Sequence, residues 1–205
     1  VNDVAPASDM SAGASPAGLV ADEIRALGGR ADAFNGSVTD EDAVDEMIDG
    51  IMRDHGRIDV LVNNAGILRD KTFARQPLDE FRQIIDVHLM GSILCTKAAW
   101  PHMQTQGYGR VVFVSSSSGL YGNFGQSAYG AAKMAVIGLM NTLKQEGEKY
   151  GIRVNALSPI ATTRMTEDLL PDVAAKLLQP EYVVPALVYL VGQEAPTGAI
   201  LASGA

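Results

Sequence analysis

Short apolar runs alternate with stretches of helical periodicity along the whole chain. Val1 to Val4 reads as the tail of a strand, and residues 5–16, rich in Ala, Ser, Gly and Pro, read as a loop. A helix is predicted over 17–27, stopped by Gly28 and Gly29, with a short strand over 30–34 after it. Thr39 is placed to cap the next helix, whose first turn carries Asp40, Glu41 and Asp42. That helix sets Val44, Met47, Ile48 and Ile51 on one face and ends near His55 and Gly56. Residues 58–62 form a nearly continuous apolar strand. A long helix over 78–104 repeats Phe81, Ile84, Ile85, His88, Leu89 and Ser92 at helical spacing. A strand over 111–114, a loop over 115–125, a helix over 126–150 and a strand over 152–157 closed by Pro159 follow. Short helices and a last strand over 199–202 complete the pattern.

Strands that are apolar throughout are covered on both faces, so the alternation predicts an α/β fold with a parallel sheet between helix layers. No repeat or linker divides it, and residues 1–205 read as a single domain. Ligands of such sheets bind beyond the carboxyl ends of the strands. Four polar or Gly-rich segments sit there and are expected to converge: Asp3 onward, Asn63-Asn64-Ala65-Gly66, Ser115 to Gly119, and Ser158 to Thr163.

Composition narrows the partners. The formal net charge of −8 and the lack of a basic patch argue against nucleic acid. No apolar run approaches the roughly 20 residues of a membrane span, and no signal peptide is visible, so a soluble cytoplasmic protein is expected. The lone Cys95 lies in an apolar helical stretch and reads as a buried, inert thiol. Scattered histidines give no metal-ligand spacing, and no metal is expected.

The candidate chemistry starts with Tyr129 and Lys133, four apart on one helix face. A free phenol titrates near 10, too high for proton exchange at neutral pH, and a neighbouring ammonium lowers that value. The same spacing also occurs in ordinary surface pairs. Ser116, at a strand end, can donate to a carbonyl oxygen and stabilise a developing alkoxide. Serines also favour turns, and the run Ser115 to Ser118 leaves the choice among them open. Small residues at Asn64-Ala65-Gly66 let a ligand approach the backbone. Asp3 at a strand end can accept ribose hydroxyls and repel a 2′-phosphate, favouring NAD over NADP; it can also be a plain turn residue. His88 reads either as a satisfied core histidine or as a proton-relay position. His55 and His102 sit near helix C-termini and offset the dipole there.

Taken together, Asn63-Asn64-Ala65-Gly66, Ser116, Tyr129-x-x-x-Lys133 and Ser158-Pro159, in this order, resemble the short-chain dehydrogenase/reductase family over essentially the whole chain. The resemblance implies a Rossmann-type doubly wound sheet and a hydride-transferring oxidoreductase. Tyr129 would be the general acid/base, Lys133 would lower its pKa and bond the nicotinamide ribose, and Ser116 would position the carbonyl. Family spacing back from Gly119 and Tyr129 selects Ser116 among the serines. Residues 121–126, 64–70, 87–89, 164–166 and 180–183 resemble the (3R)-hydroxyacyl-CoA dehydrogenase domains of multifunctional enzyme type 2. That resemblance implies a 3-hydroxyacyl thioester as substrate and NAD as cofactor, with NADP the alternative, and a peroxisomal location in a eukaryote.

Several positions depart from the family. His88 stands where the family usually has a relay Asn. Ser37 and Val38 replace an adenine-contacting Asp, with Ser37 able to accept the exocyclic amine. Ile160 follows Pro159 in place of Gly, which moves the carboxamide contact to Thr162, with Thr163 the rival. Neither end looks natural. The first strand and its Gly-rich pyrophosphate turn belong upstream of Val1, about 30 residues on βα-unit lengths. Without that unit a gap is expected between the strand ending at Val4 and the strand 58–62, and cofactor binding by the 205 residues alone is expected to be weak. The family also implies a homodimer or homotetramer through the two long helices. Competing readings are a 3-oxoacyl thioester reductase or another alcohol dehydrogenase of the family, and, in a different class, a cofactor-binding regulator without turnover. Apolar residues in 163–179 suit a greasy substrate or ordinary packing.

Overall fold

The computed structural model describes residues 1–4, 15–161 and 177–204. Four parallel strands form its sheet in the order β1 (Val60–Asn63), β2 (Gly109–Val114), β3 (Ile152–Pro159) and β4 (Ile200–Ser203). Each connection that returns a parallel strand crosses a face of the sheet. One face carries α2 (Glu41–His55), α4 (Gly91–Gln106) and α6 (Ser127–Gly147); Val111, Phe113, Val154 and Ala156 pack there against Ala99, Met103, Val136 and Met140. The opposite face presents Val112 and Leu157 to Leu190 of α7 (Val184–Val191). This two-sided burial is why β2 is apolar at consecutive positions. The α/β doubly wound reading is the observed architecture.

Capping differs from the sequence expectation at α2. Asp40, not Thr39, is the N-cap, and its carboxylate accepts from the Ala43 N–H at 3.2 Å. Thr39 instead joins a polar turn with Ser37, their hydroxyls 2.8 Å apart. Gly56 closes α2 with φ +70°, a conformation that costs a residue with a Cβ about 1 kcal/mol or more. The expected long helix over 78–104 is α3 (Leu78–Ile85), a π-helical turn (Asp86–Met90) and α4. The expected loop after β2 contains a short helix, α5 (Ser117–Tyr121), capped by the Ser116 hydroxyl.

The first helix, α1 (Pro16–Ala26), has Ser15 as N-cap and Pro at its start, a pairing that presets the first turn. The expected strands at Val1–Val4 and 30–34 meet only at the bridge between Asn2 and Phe34. Asn2 secures it by donating to the Gly36 carbonyl and accepting from the Gly36 N–H. Among the described residues β1 pairs with β2 alone, and its outer edge leaves Val60 40% and Val62 36% exposed. A cleft of about 1720 Å³ lies between that edge and the Asn2 segment, where the sequence reading expects a gap.

Candidate active site

The carboxyl ends of the strands deliver the predicted segments to this one cleft. Asp3, Ser37, Val38, Asn64, Ala65, Gly66, His88, Tyr129, Lys133 and Pro159 all line it. Thr162 and its rival Thr163 lie outside the described residues, as does most of the expected substrate loop. Asn63 lines the cleft as well but is buried, and it donates to Thr96 at 3.0 Å, tying β1 to α4, while Asn64 is exposed. The Ser37 hydroxyl is occupied in the turn with Thr39. Val38 packs on Gly91, where an added Cβ would come within 2.6 Å of Val38 Cγ2.

The serine run divides by environment. Ser115 is buried and donates to the Lys133 carbonyl at 2.7 Å, fixing β2 to α6. Ser116 caps α5, and its hydroxyl stands beside the Tyr129 phenol, where it acts to lower the phenol's pKa. Close packing of α5 on α6 holds this geometry, since a Cβ at Gly119 would lie 2.8 Å from Lys133 Cβ.

Tyr129 and Lys133 share a face of α6, and both are removed from water. Burial pushes the phenol above its ordinary value; the Ser116 hydroxyl opposes this and the nearby Asp70 carboxylate adds to it. The expected lowering of the phenol by Lys133 is therefore not the net result. The Lys133 ammonium lies 5.6 Å from the Tyr129 ring centre and donates to the Val114 carbonyl at 2.6 Å. Burial lowers Lys133 itself to about 8, so it is cationic at neutral pH yet close to losing its proton.

His88 sits in the π-helical turn, a feature frequent at functional sites. Its ring meets Tyr129 edge to face with centres 5.1 Å apart. Nε2 lies 2.8 Å from the Ile67 carbonyl and 3.1 Å from the Ile67 N–H. Gly66 makes room for the ring, because a Cβ there would stand 2.4 Å from Cε1. Nδ1 is buried without a hydrogen-bond partner among the described residues. Burial first, then the Lys133 charge, press the imidazole down to about 4.

The sign of that shift fixes a pH dependence. Below the ordinary value of 6.5 the unfolded imidazole binds a proton that the folded one refuses until about 4. Stability is therefore held above pH 6.5 and lost as pH falls through 4. From pH 7 to pH 5 the loss from this residue is expected to be about 2 kcal/mol. Urea unfolding at both pH values should show the wild type losing more than the His88→Gln variant by that amount.

Sequence reasoning missed the supports around the site. Asn2 anchors the Asp3 segment. Gln126 donates to Asp70 at 2.6 Å and accepts from Asn123, joining the loop after β1 to the start of α6. Ordinary polar loop residues carry no periodic signal that would have singled these out. Cys95 is buried, its thiol pushed up to about 11 by desolvation. His55 bonds Asp32 at 2.9 Å on the surface. No group of three or more His, Cys, Asp or Glu side chains among the described residues is arranged for a metal.

Comparison with known proteins decides the family. The model of the short chain dehydrogenase family matches residues 7–174. The chain belongs to the short-chain dehydrogenase family. It is 48% identical over 195 residues to a short-chain type dehydrogenase/reductase of Mycobacterium tuberculosis, covering 95% of this chain and 68% of that protein. It is 48% identical over 178 residues to the peroxisomal multifunctional enzyme type 2 of Mus musculus, covering 87% of this chain and 24% of that protein. The full-length peroxisomal multifunctional enzyme type 2 of Drosophila melanogaster superposes with a TM-score of 0.76 at 39% identity, covering 92% of this chain and 32% of that one. The chain thus spans about a quarter to a third of these peroxisomal relatives. Short-chain dehydrogenases are oxidoreductases of CH–OH groups and use NAD(P).

Proposed function

We propose that this short-chain dehydrogenase oxidises the 3-hydroxyl of an acyl thioester, reversibly, with NAD. The observation that carries the reading is the Tyr129 phenol, with Ser116 beside it and flanked by the buried Lys133, at the carboxyl edge of a parallel sheet. Similarity to a 3-oxoacyl-(acyl-carrier-protein) reductase of Synechocystis, 39% identical over 193 residues, supports the thioester.

The residues present fit a nicotinamide dinucleotide. Along the cleft they offer an acid for ribose hydroxyls at Asp3, a polar turn at Ser37, small backbone-exposing residues at Asn64 to Gly66, and a cation at Lys133. Bound NAD would supply the hydride acceptor and a positive charge. Asp3, which lines the cleft, supports NAD over NADP, since a carboxylate there repels a 2′-phosphate.

Ser116, beside the phenol, can donate to the substrate oxygen and stabilise charge developing there. Tyr129 exchanges the proton with that oxygen. Because burial favours the neutral phenol, the resting residue is an acid ready to protonate an alkoxide, and alcohol oxidation requires it first to be deprotonated. Lys133 holds positive charge next to the phenol, with N–H groups left beyond its bond to Val114.

The test is a turnover screen of the full-length protein. NAD and NADP are each tried with (3R)- and (3S)-hydroxyacyl-CoA of several chain lengths and with simple secondary alcohols. Turnover of one thioester enantiomer with NAD is expected. Turnover of alcohols but of no thioester would remove the substrate proposal and leave the oxidoreductase. Self-association through α4 and α6 belongs to the same reading, supported by the exposed Met134 of α6; a monomeric mass in light scattering would overturn it.

A further inference from the structure

We propose that Arg69, Arg75 and the exposed rings of Phe73, Tyr121 and Phe124 form a site for the adenosine phosphates of coenzyme A, outside the dinucleotide cleft. The inference rests on the reading of the chain as acting on an acyl thioester.

Three aromatic rings stand out in solvent. Phe124 is 88%, Tyr121 86% and Phe73 76% exposed, more than any other aromatic side chain among the described residues. Apolar surface left in water contributes nothing to folding, and where it gathers it marks a binding surface. The rings lie on two loops that are hydrogen-bonded together. The Lys71 N–H donates to the Gly125 carbonyl at 2.9 Å, and the Ser127 hydroxyl donates to Gln76 at 3.2 Å. Gln126, at the end of the second loop, starts α6 one helical turn, about 5 Å, before Tyr129. A thioester reacting at Tyr129 therefore brings its carrier within reach of these loops. None of the five side chains lines the cleft assigned to the dinucleotide.

The first loop also carries cations without an anionic partner. Arg25, Arg53 and Arg57 pair with aspartates, whereas Arg69 and Arg75 have no carboxylate within salt-bridge distance among the described residues. The nearby acids are engaged elsewhere. Glu80 pairs with Lys71 at 2.8 Å, Asp70 accepts from Gln126 at 2.6 Å, and Asp79 lines the dinucleotide cleft. Arg69 spends one N–H on the Leu68 carbonyl at 3.1 Å and keeps the others. An acyl chain would need only the rings. Rings and guanidinium groups together suit a nucleotide, since aromatic faces stack on a base and the guanidinium fork takes phosphate bidentately. Coenzyme A joins a base and phosphates to a thioester. The backbone is already set: Gln76 donates to the Arg69 carbonyl at 3.0 Å, and the Arg75 N–H donates to the Thr72 carbonyl at 2.8 Å. Binding then has little loop ordering to offset.

The test offers one 3-hydroxyacyl group to the full-length protein with NAD on three carriers: coenzyme A, pantetheine, which lacks the adenosine phosphates, and an acyl carrier protein. The wild type is expected to favour coenzyme A over pantetheine in kcat/KM. Arg69→Gln, Arg75→Gln and Phe124→Ala are each expected to cut that preference about tenfold. An unchanged preference would overturn the proposal. An equal loss on both carriers would overturn it in favour of rings that hold the acyl chain. A higher kcat/KM with the acyl carrier protein than with coenzyme A would overturn it in favour of a protein partner. A smaller oligomer of Phe124→Ala in light scattering, with the preference intact, would make the patch a contact between copies instead. A second readout needs no turnover: free coenzyme A is titrated calorimetrically into the full-length protein saturated with NADH. Expected is binding that Arg75→Gln weakens about tenfold and that added salt weakens as well. Equal binding by both proteins, or none by the wild type, would overturn the proposal. Coenzyme A binding with these responses but no turnover of any thioester would keep the site and refute the function proposal. Thioester turnover without these responses would do the reverse.

Discussion

The Tyr129→Phe variant of the full-length protein is expected to lose about 10³-fold in kcat, within the range of general acid–base catalysis by one group. The size follows from the neighbours, which replace the phenol poorly. His88 points its Nε2 at the Ile67 backbone, and its ring stays neutral down to about 4. The Lys133 ammonium is bound to the Val114 carbonyl. Ser116 can bond an oxygen but does not ionise at neutral pH. Folding should be nearly unaffected, since the ring still packs on Ile84, Ala128 and Ala132 and only the hydroxyl's polar contact beside Ser116 is lost, about 1 kcal/mol at most. The checks are kcat with the thioester identified by the screen, and a urea midpoint. A variant that folds normally and retains turnover within tenfold of wild type would remove Tyr129 from the mechanism.

The pair that this variant probes was only weakly legible in the sequence. Tyr129 and Lys133 at helical spacing predicted a shared face, and they share one. Spacing could not show that burial would dominate the phenol, because the desolvating walls come from α3, the π-helical turn and β2, far apart in sequence. The sheet was legible for a simple reason. β2 is buried on both faces, and its apolar run from Val111 to Val114 records that directly; β3 interrupts its run with Arg153 and Asn155. The strand expected over 30–34 was less so: its residues make one bridge, to Asn2, and lie apart from the four-stranded sheet. α5 was missed because Ser, Gly and Tyr over five residues have poor helix propensity, and the helix exists through the Ser116 cap and packing on α6.

Arg110 shows the opposite limit, a residue invisible to sequence reading with a large expected effect. The strand was expected to begin at Val111; it begins at Gly109, and Arg110 is buried within it. Its guanidinium stacks over Tyr108 at 4.1 Å and donates to four backbone carbonyls: Gly192 from Nε, Gly109 and Gly151 from Nη1, and Gln193 from Nη2. The planar fork thereby joins the start of β2, the turn into β3 and the end of α7. Arg110→Met fills much of the volume but leaves these carbonyls without their donor. With hydrogen bonds to a charged group worth about 1.5–3 kcal/mol each and some carbonyls regaining water, the expected loss is about 4 kcal/mol. Arg110→Lys should recover only part of it, because an ammonium cannot span the same acceptors. Urea unfolding measures both. Arg110 lies at the amino end of β2, opposite the Ser116 end, so kcat per folded molecule should stay near wild type. A loss below about 1 kcal/mol in Arg110→Met would mean that water replaces the guanidinium at these carbonyls and that the corner is held by packing alone.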